Sequence, residues 1–201
     1  LDGAKTAFAQ LADKTWKKRE LNAYMRRQSD AYWLSFPTES QLRHANMIAA
    51  MEAAGEHVAL EVHGDKLRDC SEITIICQDH AGLFARLAGA CALAGLTILD
   101  ARITTTQDGL AVDALHVADI GQPGPLSSEK AKRLIENMRD VLSGQVIVPD
   151  SLEGAPQRAH IEAFDLTPQV RISNQLADNA SVIEVSGLDR QGLLYALLRA
   201  L

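Results

Sequence analysis

Two stretches of this sequence place an acidic residue and a glycine at the mouth of an apolar helix pattern: Asp79-His80-Ala81-Gly82-Leu83 and Asp189-Arg190-Gln191-Gly192-Leu193. Such a turn has definite chemistry. Glycine reaches backbone conformations that other residues resist and lets a ligand approach the main chain. A helix opening behind it presents unpaired N–H groups and a partial positive charge, a setting for a small carboxylate or phosphate. The neighbouring aspartate can accept from an ammonium group. Together these parts describe a receptor for a free amino acid. The plainer reading is that Asp79 and Asp189 cap their helices. Spacing alone leaves the two readings level.

The two stretches are copies of one another. At an offset of 110 residues Asp79 matches Asp189, Gly82 matches Gly192, Leu83 matches Leu193, Leu87 matches Leu197 and Ala90 matches Ala200. Each copy follows a run rich in β-branched residues, Ile73–Cys77 and Val182–Val185. A repeated strand, turn and helix predicts two modules of one fold. The second module is expected to be truncated, because the sequence stops at Leu201 inside an apolar helix pattern.

Other chemistry-bearing residues form no constellation. His57 and His63 lie six apart, and His80 and His116 are far from any cysteine pair. Cys70, Cys77 and Cys91 lack metal-ligand spacing and read as small buried apolar residues in a reducing cytoplasm. The chain has no His-Asp dipeptide and no Asp-x-Asp pair of the kind that holds Mg²⁺. No catalytic residue and no metal site are assigned.

The elements that must position the turns follow from periodicity. Residues 1–56 read as a helical segment, with a capping-box spacing at Thr38–Gln41 and a stop at Gly55. Residues 57–70 are a connector, with a short possible strand at Val58–Val62. Ile73–Cys77 is a strand, and Leu83, Phe84, Leu87, Ala88, Cys91 and Ala94 form one helical stripe. Thr97–Thr106 alternates, with Ile98, Asp100 and Arg102 on one face and Leu99, Ala101 and Ile103 on the other. Asp108-Gly109 signals a tight hairpin to a strand over 110–118. Ser127 caps an amphipathic helix carrying Leu134, Ile135, Met138, Val141 and Leu142. Residues 144–169 form a connector, and 170–174 is the candidate closing strand. The order predicts an α+β, βαββαβ sandwich over 71–174, with a second copy opening at 181–201.

Composition bounds the partners. The net charge is −6, the hydrophobic content 47% and the aromatic content 4%. The core is therefore expected to be aliphatic, and an acidic chain is a poor fit for nucleic acid or anionic membrane. The lack of any run of about 18 apolar residues excludes a spanning helix.

At the glycine turns the chain resembles the ACT domain family, whose pattern there is Asp-Arg-Pro-Gly-Leu. Ala81 and Gln191 stand where that family has proline. The runs Ile98-Leu99-Asp100-Ala101-Arg102-Ile103 and Thr104–Asp113 resemble the C-terminal region of the family of bifunctional enzymes that attach uridylyl groups to the PII nitrogen-signalling protein and remove them again. The resemblance implies a ferredoxin-like fold. It implies an amino-acid site at Asp79, His80, Ala81, Gly82, Leu83, Asp189, Arg190, Gln191, Gly192 and Leu193, with Thr97 and Ile98 opening the next strand. It implies glutamine as ligand, PII as partner of the parent enzyme, pairing between ACT domains, and Mg²⁺-dependent catalytic centres upstream of Leu1. An ACT sensor of another parent, such as a guanosine-tetraphosphate synthetase or an amino-acid biosynthetic enzyme, is the nearest alternative. An RNA-binding module shares the strand order but needs exposed aromatics, which the strands here lack. A small acylphosphatase-like hydrolase would need Arg102 or Arg171 to hold phosphate.

Overall fold

A computed structural model describes residues 1–13, 15–149, 167–177, 180–187 and 190–200. The helical segment contains α1 (Asp2–Ala12), α2 (Lys18–Arg27), α3 (Asp30–Ser35) and α4 (Thr38–Ala54). Pro37 stops α3 from running on and serves as the N-cap of α4. Thr38 is thus the first helical residue and not the expected cap. Gln41 turns back instead, donating from Nε2 to the Phe36 carbonyl at 2.8 Å. Gly55, with φ of 66°, ends the helix as predicted.

Eight residues of β1 (Val58–Asp65) and nine of β2 (Cys70–Gln78) follow, then α5 (Leu83–Leu93), β3 (Leu96–Thr105), β4 (Leu110–Asp119) and α6 (Ser128–Leu142). Ser127 caps α6 by accepting from the Lys130 amide at 3.2 Å. The four strands form one antiparallel sheet in the order β1-β2-β4-β3. With α5 and α6 on one face, this is the α+β, ferredoxin-like arrangement. The fourth strand differs from expectation. Residues 170–174 do not close this sheet. They lie in β5 (Gln169–Ser173), which pairs with β6 (Val182–Ser186) in a separate two-stranded sheet ahead of α7 (Leu193–Ala200). The edge position beside β2 is taken by β1, which the sequence reading left as a connector. A hairpin partner one short turn away closes a far smaller loop than a strand some hundred residues downstream, and loop closure has an entropic cost that grows with length.

The second hairpin repeats the first in register. Val62 faces Ile73 and Leu60 faces Ile75 in one, and Ile172 faces Ile183 and Val170 faces Val185 in the other. Every one of these pairs is related by the same 110-residue offset as the glycine turns. The repeat therefore reaches back to β1 and β5, and its order is strand, strand, helix.

One face of the sheet packs Ile73, Ile75, Leu115 and Val117 against Leu87, Cys91, Leu134 and Met138, an aliphatic core as expected. The opposite face packs Ile76, Val112 and Ala114 against the helical segment. That second core is aromatic, with Phe8, Tyr24, Tyr32, Trp33 and Phe36 concentrated in it and Phe8 and Trp33 ring centres 5.2 Å apart. Low overall aromatic content concealed this local concentration. A bulge at Leu99 is a further departure. It turns Ile98 to the core face beside Ala101, opposite Val117, and leaves Leu99 58% exposed. Between helical segment and sheet, Glu72 accepts from Arg43 at 2.7 Å beside the buried ring of His116. Residues 150–166 of the expected connector lie outside the described residues.

Candidate functional site

The two turns share one backbone geometry. Gly82 has φ of 78° and Gly192 has φ of 74°, in the left-handed region that glycine tolerates best. Leu83 donates to the His80 carbonyl at 3.1 Å, and Leu193 to the Arg190 carbonyl at 3.0 Å. Arg86 donates to Gly82 at 3.1 Å, and Ala196 to Gly192 at 2.9 Å. All four bonds obey the 110-residue offset. Asp189 itself lies outside the described residues.

Asp79 does not cap α5. Its carboxylate accepts from the Thr105 hydroxyl on β3 at 2.8 Å, and no described side chain caps the helix. Asp79, His80, Ala81 and Gly82 are exposed, while Leu83 is buried in the core. Of the turn's amides, those of Asp79 and Leu83 are bonded within the fold, to the Gly109 and His80 carbonyls. Gly82 borders a cavity of about 410 Å³ formed with Val146, Ile147, Val148, Tyr195 and Arg199.

Thr97 and Ile98 sit at the far end of α5 from that turn and do not join it. They meet the other copy. Arg190, Gly192 and Leu193 line a cavity of about 420 Å³ together with Thr97, Ile98, Phe84, Ala88 and Tyr195. Five of the residues expected at the site thus converge across the two repeats, from turn two of one and the strand opening of the other. Gln191 is placed differently from expectation. Its amide nitrogen donates to the Ala92 carbonyl in the last turn of α5, which also accepts from the Gly95 amide. It tethers turn two to α5.

The joint between repeats is close. A Cβ on Gly89 of α5 would lie 2.6 Å from Val148 Cγ1 and 3.1 Å from Tyr195 Cε2. Tyr195 is buried and its hydroxyl donates to the Val148 carbonyl at 3.3 Å. Sequence reasoning missed Tyr195, Val148 and Phe84 as lining residues. An aromatic residue inside the second helix pattern was the available signal for Tyr195.

Near the first turn, Asp113 on β4 is 1% exposed and neither carboxylate oxygen makes a hydrogen bond among the described residues. Burial pushes its carboxyl up to about 7. The nearby Thr104 amide works against the rise and the Asp79 charge adds to it. The three cysteines are free and buried. Burial pushes the Cys91 thiol up to about 12 and the Cys77 thiol up to about 11, as expected of inert core residues. Among the described residues no group of three or more His, Cys, Asp or Glu could hold a metal ion. No described helix is long and apolar enough to cross a membrane.

With this geometry in view, comparison with known families gives one match, the ACT domain, over residues 71–132. These residues belong to the ACT domain family. The match opens on β2 and ends inside α6, so the edge strand β1 lies outside it. The chain is also similar to proteins named bifunctional uridylyltransferase/uridylyl-removing enzyme. That of Rhodospirillum rubrum is 41% identical over 96% of this chain, that of Bradyrhizobium diazoefficiens 39% over 98%, and that of Rhodopseudomonas palustris 39% over 92%. The chain spans about a fifth of the length of these curated relatives. The similarity runs through the helical segment and both repeats, well beyond the ACT match itself.

Proposed function

We propose that this chain is the amino-acid-sensing regulatory region of a cytoplasmic enzyme that uridylylates and deuridylylates a PII protein, with glutamine as the sensed ligand. The catalytic centres and their Mg²⁺ belong to parts of the parent outside this chain, and PII is met through the parent. Support for the sensor comes above all from the cavity shared by turn two and the start of β3. Arg190, Gly192 and Leu193 of a glycine turn meet Thr97 and Ile98 at the β3 opening there, over an apolar floor of Phe84, Ala88 and Leu193. Small-molecule sites have this character, concave and mostly apolar with a few convergent polar groups. Support for the parent comes from the relatives' name and the extent of the similarity.

The sheet face that an RNA-binding module would use is covered here by the helical segment. The hydrolase alternative has no support at Arg102, which faces Asp100 at 3.6 Å.

A thermal-shift scan of the chain against the twenty amino acids tests the sensor. Ligand at about 100 times its dissociation constant stabilises by roughly 2.7 kcal/mol. For a chain of this size that is a rise of about 5–10 °C. L-glutamine should stand alone, and a flat response across all twenty removes the proposal.

A further inference from the structure

Asp100 belongs to two neighbourhoods at once. Residues 96–101 of β3 line one wall of the cavity that Arg190, Gly192 and Leu193 complete, and the bulge at Leu99 lies within that wall. Before the bulge Ile98 pairs with Val117, and after it Asp100 pairs with His116. Without the extra residue Leu99 would stand opposite His116, and Asp100 would be turned onto the aliphatic core. The bulge instead aims Asp100 at the other face of the sheet, where the helical segment packs. There Asp100 heads a row of charged groups that crosses three strands. Its Oδ2 lies 3.5 Å from His116 Nδ1 on β4, and Glu72 Oε2 on β2 lies 3.5 Å from His116 Nε2. Glu72 Oε1 accepts from Arg43 Nη2 of α4 at 2.7 Å. Arg102 Nη2 stands 3.6 Å from Asp100 Oδ2, and Arg68 Nη1 lies 3.3 Å from His116 Nε2. Arginine only donates, so a neutral His116 ring accepts at Nε2 and carries its proton on Nδ1, toward Asp100. His116 and Glu72 are both buried, so solvent screens the middle of the row little.

We infer that this row, set by the bulge at Leu99, couples occupancy of the cavity between the repeats to α4 of the helical segment. The inference rests on the sensor reading above and adds the route by which that same site acts on the rest of its protein. An amino acid seated against residues 96–101 makes its β3 contacts with the bulged backbone, and so favours that register over a slipped one. The bulged register is the one that holds Asp100 on His116. With Asp100 in place the His116 ring is held between two carboxylates, and Glu72 keeps its other oxygen for Arg43. When the bulge relaxes, the ring loses one of its holders and α4 loses its fixed point on β2. His116, Glu72 and Arg43 are positioning residues in this scheme. They line neither the shared cavity nor the one beside Gly82.

Two measurements on the 201-residue chain test the coupling. The first needs no ligand. It is a double-mutant cycle in urea between Asp100→Asn at one end of the row and Arg43→Met at the other. These two side chains touch no common group, so independent sites would simply multiply their effects on the unfolding constant. A coupling factor of about threefold or more supports the row, and a smaller one overturns it. The second is hydrogen exchange with and without saturating L-glutamine. In the unmodified chain, protection is expected at residues 96–101 and 192–197 around the cavity and at 39–48 in α4. In Glu72→Gln, protection around the cavity should persist while that of α4 falls severalfold. Arg43→Met breaks the same pair from its more exposed side and should act alike, which keeps the test should Glu72→Gln fail to fold. Protection of α4 that is absent in the unmodified chain, or unchanged in the variants, overturns the coupling and leaves the sensor standing. Absence of protection around the cavity in every variant counts against the sensor itself, and against the coupling with it.

Discussion

One buried carboxyl, Asp113, works against this protein's stability as pH rises. Asp113 is held near 7 by burial against an ordinary value near 3.8. The folded state therefore keeps a proton that the unfolded chain releases. Stability falls as pH rises from about 4, and the whole penalty is present above about 7. Asp113→Asn removes the titration with little change of shape. It should raise stability at pH 8 by about 2 to 4 kcal/mol and change little at pH 4, read by urea unfolding at the two values. A gain of equal size at both values would show that Asp113 is ionised in the fold. Gln191 is the second residue whose chemistry differs from its expected part. The family's proline would pre-set the turn, whereas here an amide side chain binds the end of α5 and fixes the turn from outside.

At the scale of elements, the joint between repeats is made by α5 lying against α7 and Val148. Glycine within a helix is unfavourable by about 1 kcal/mol relative to alanine, so Gly89 needs a reason. Its reason is close approach. Gly89→Ala should recover that propensity but push a methyl group into Val148, whose branched side chain yields little. Overpacking at about 1–3 kcal/mol outweighs the gain. The variant should melt lower than the parent, and exchange along residues 193–200 should speed up. A higher melting temperature would mean that the helices are not in contact in solution. The elements themselves were legible where one local signal decided them. The β-branched run of β2, the Asp-Gly turn, the Ser127 cap and the stripe of α6 all stand where the pattern put them. Pairing was not legible. Residues 58–65 and 170–174 have equally plain strand patterns, and choosing the edge strand requires knowing which hairpin closes. The shared offset held that answer, because the pair Val62 and Ile73 repeats as Ile172 and Ile183, one strand upstream of the matched runs. The bulge at Leu99 is similarly invisible in an alternating pattern.

The whole molecule is a sheet with two unlike sides. One side carries the ACT helices and the second repeat, where both cavities lie. The other carries an aromatic helical layer, fastened by Arg43 to Glu72 and by Arg27 to the hairpin tip. Half of the candidate site was readable as a motif, because the turns recur with their glycine and leucine. The half that joins Thr97 and Ile98 to Arg190, Gly192 and Leu193 was not, since it depends on how one repeat packs on the other. That packing is the central claim, and a backbone chemical-shift titration of the chain with L-glutamine tests it most directly. The account predicts that Thr97, Ile98, Gly192 and Leu193 shift together along one binding curve. Shifts confined to a single repeat, or none at these four residues at saturation, would contradict it.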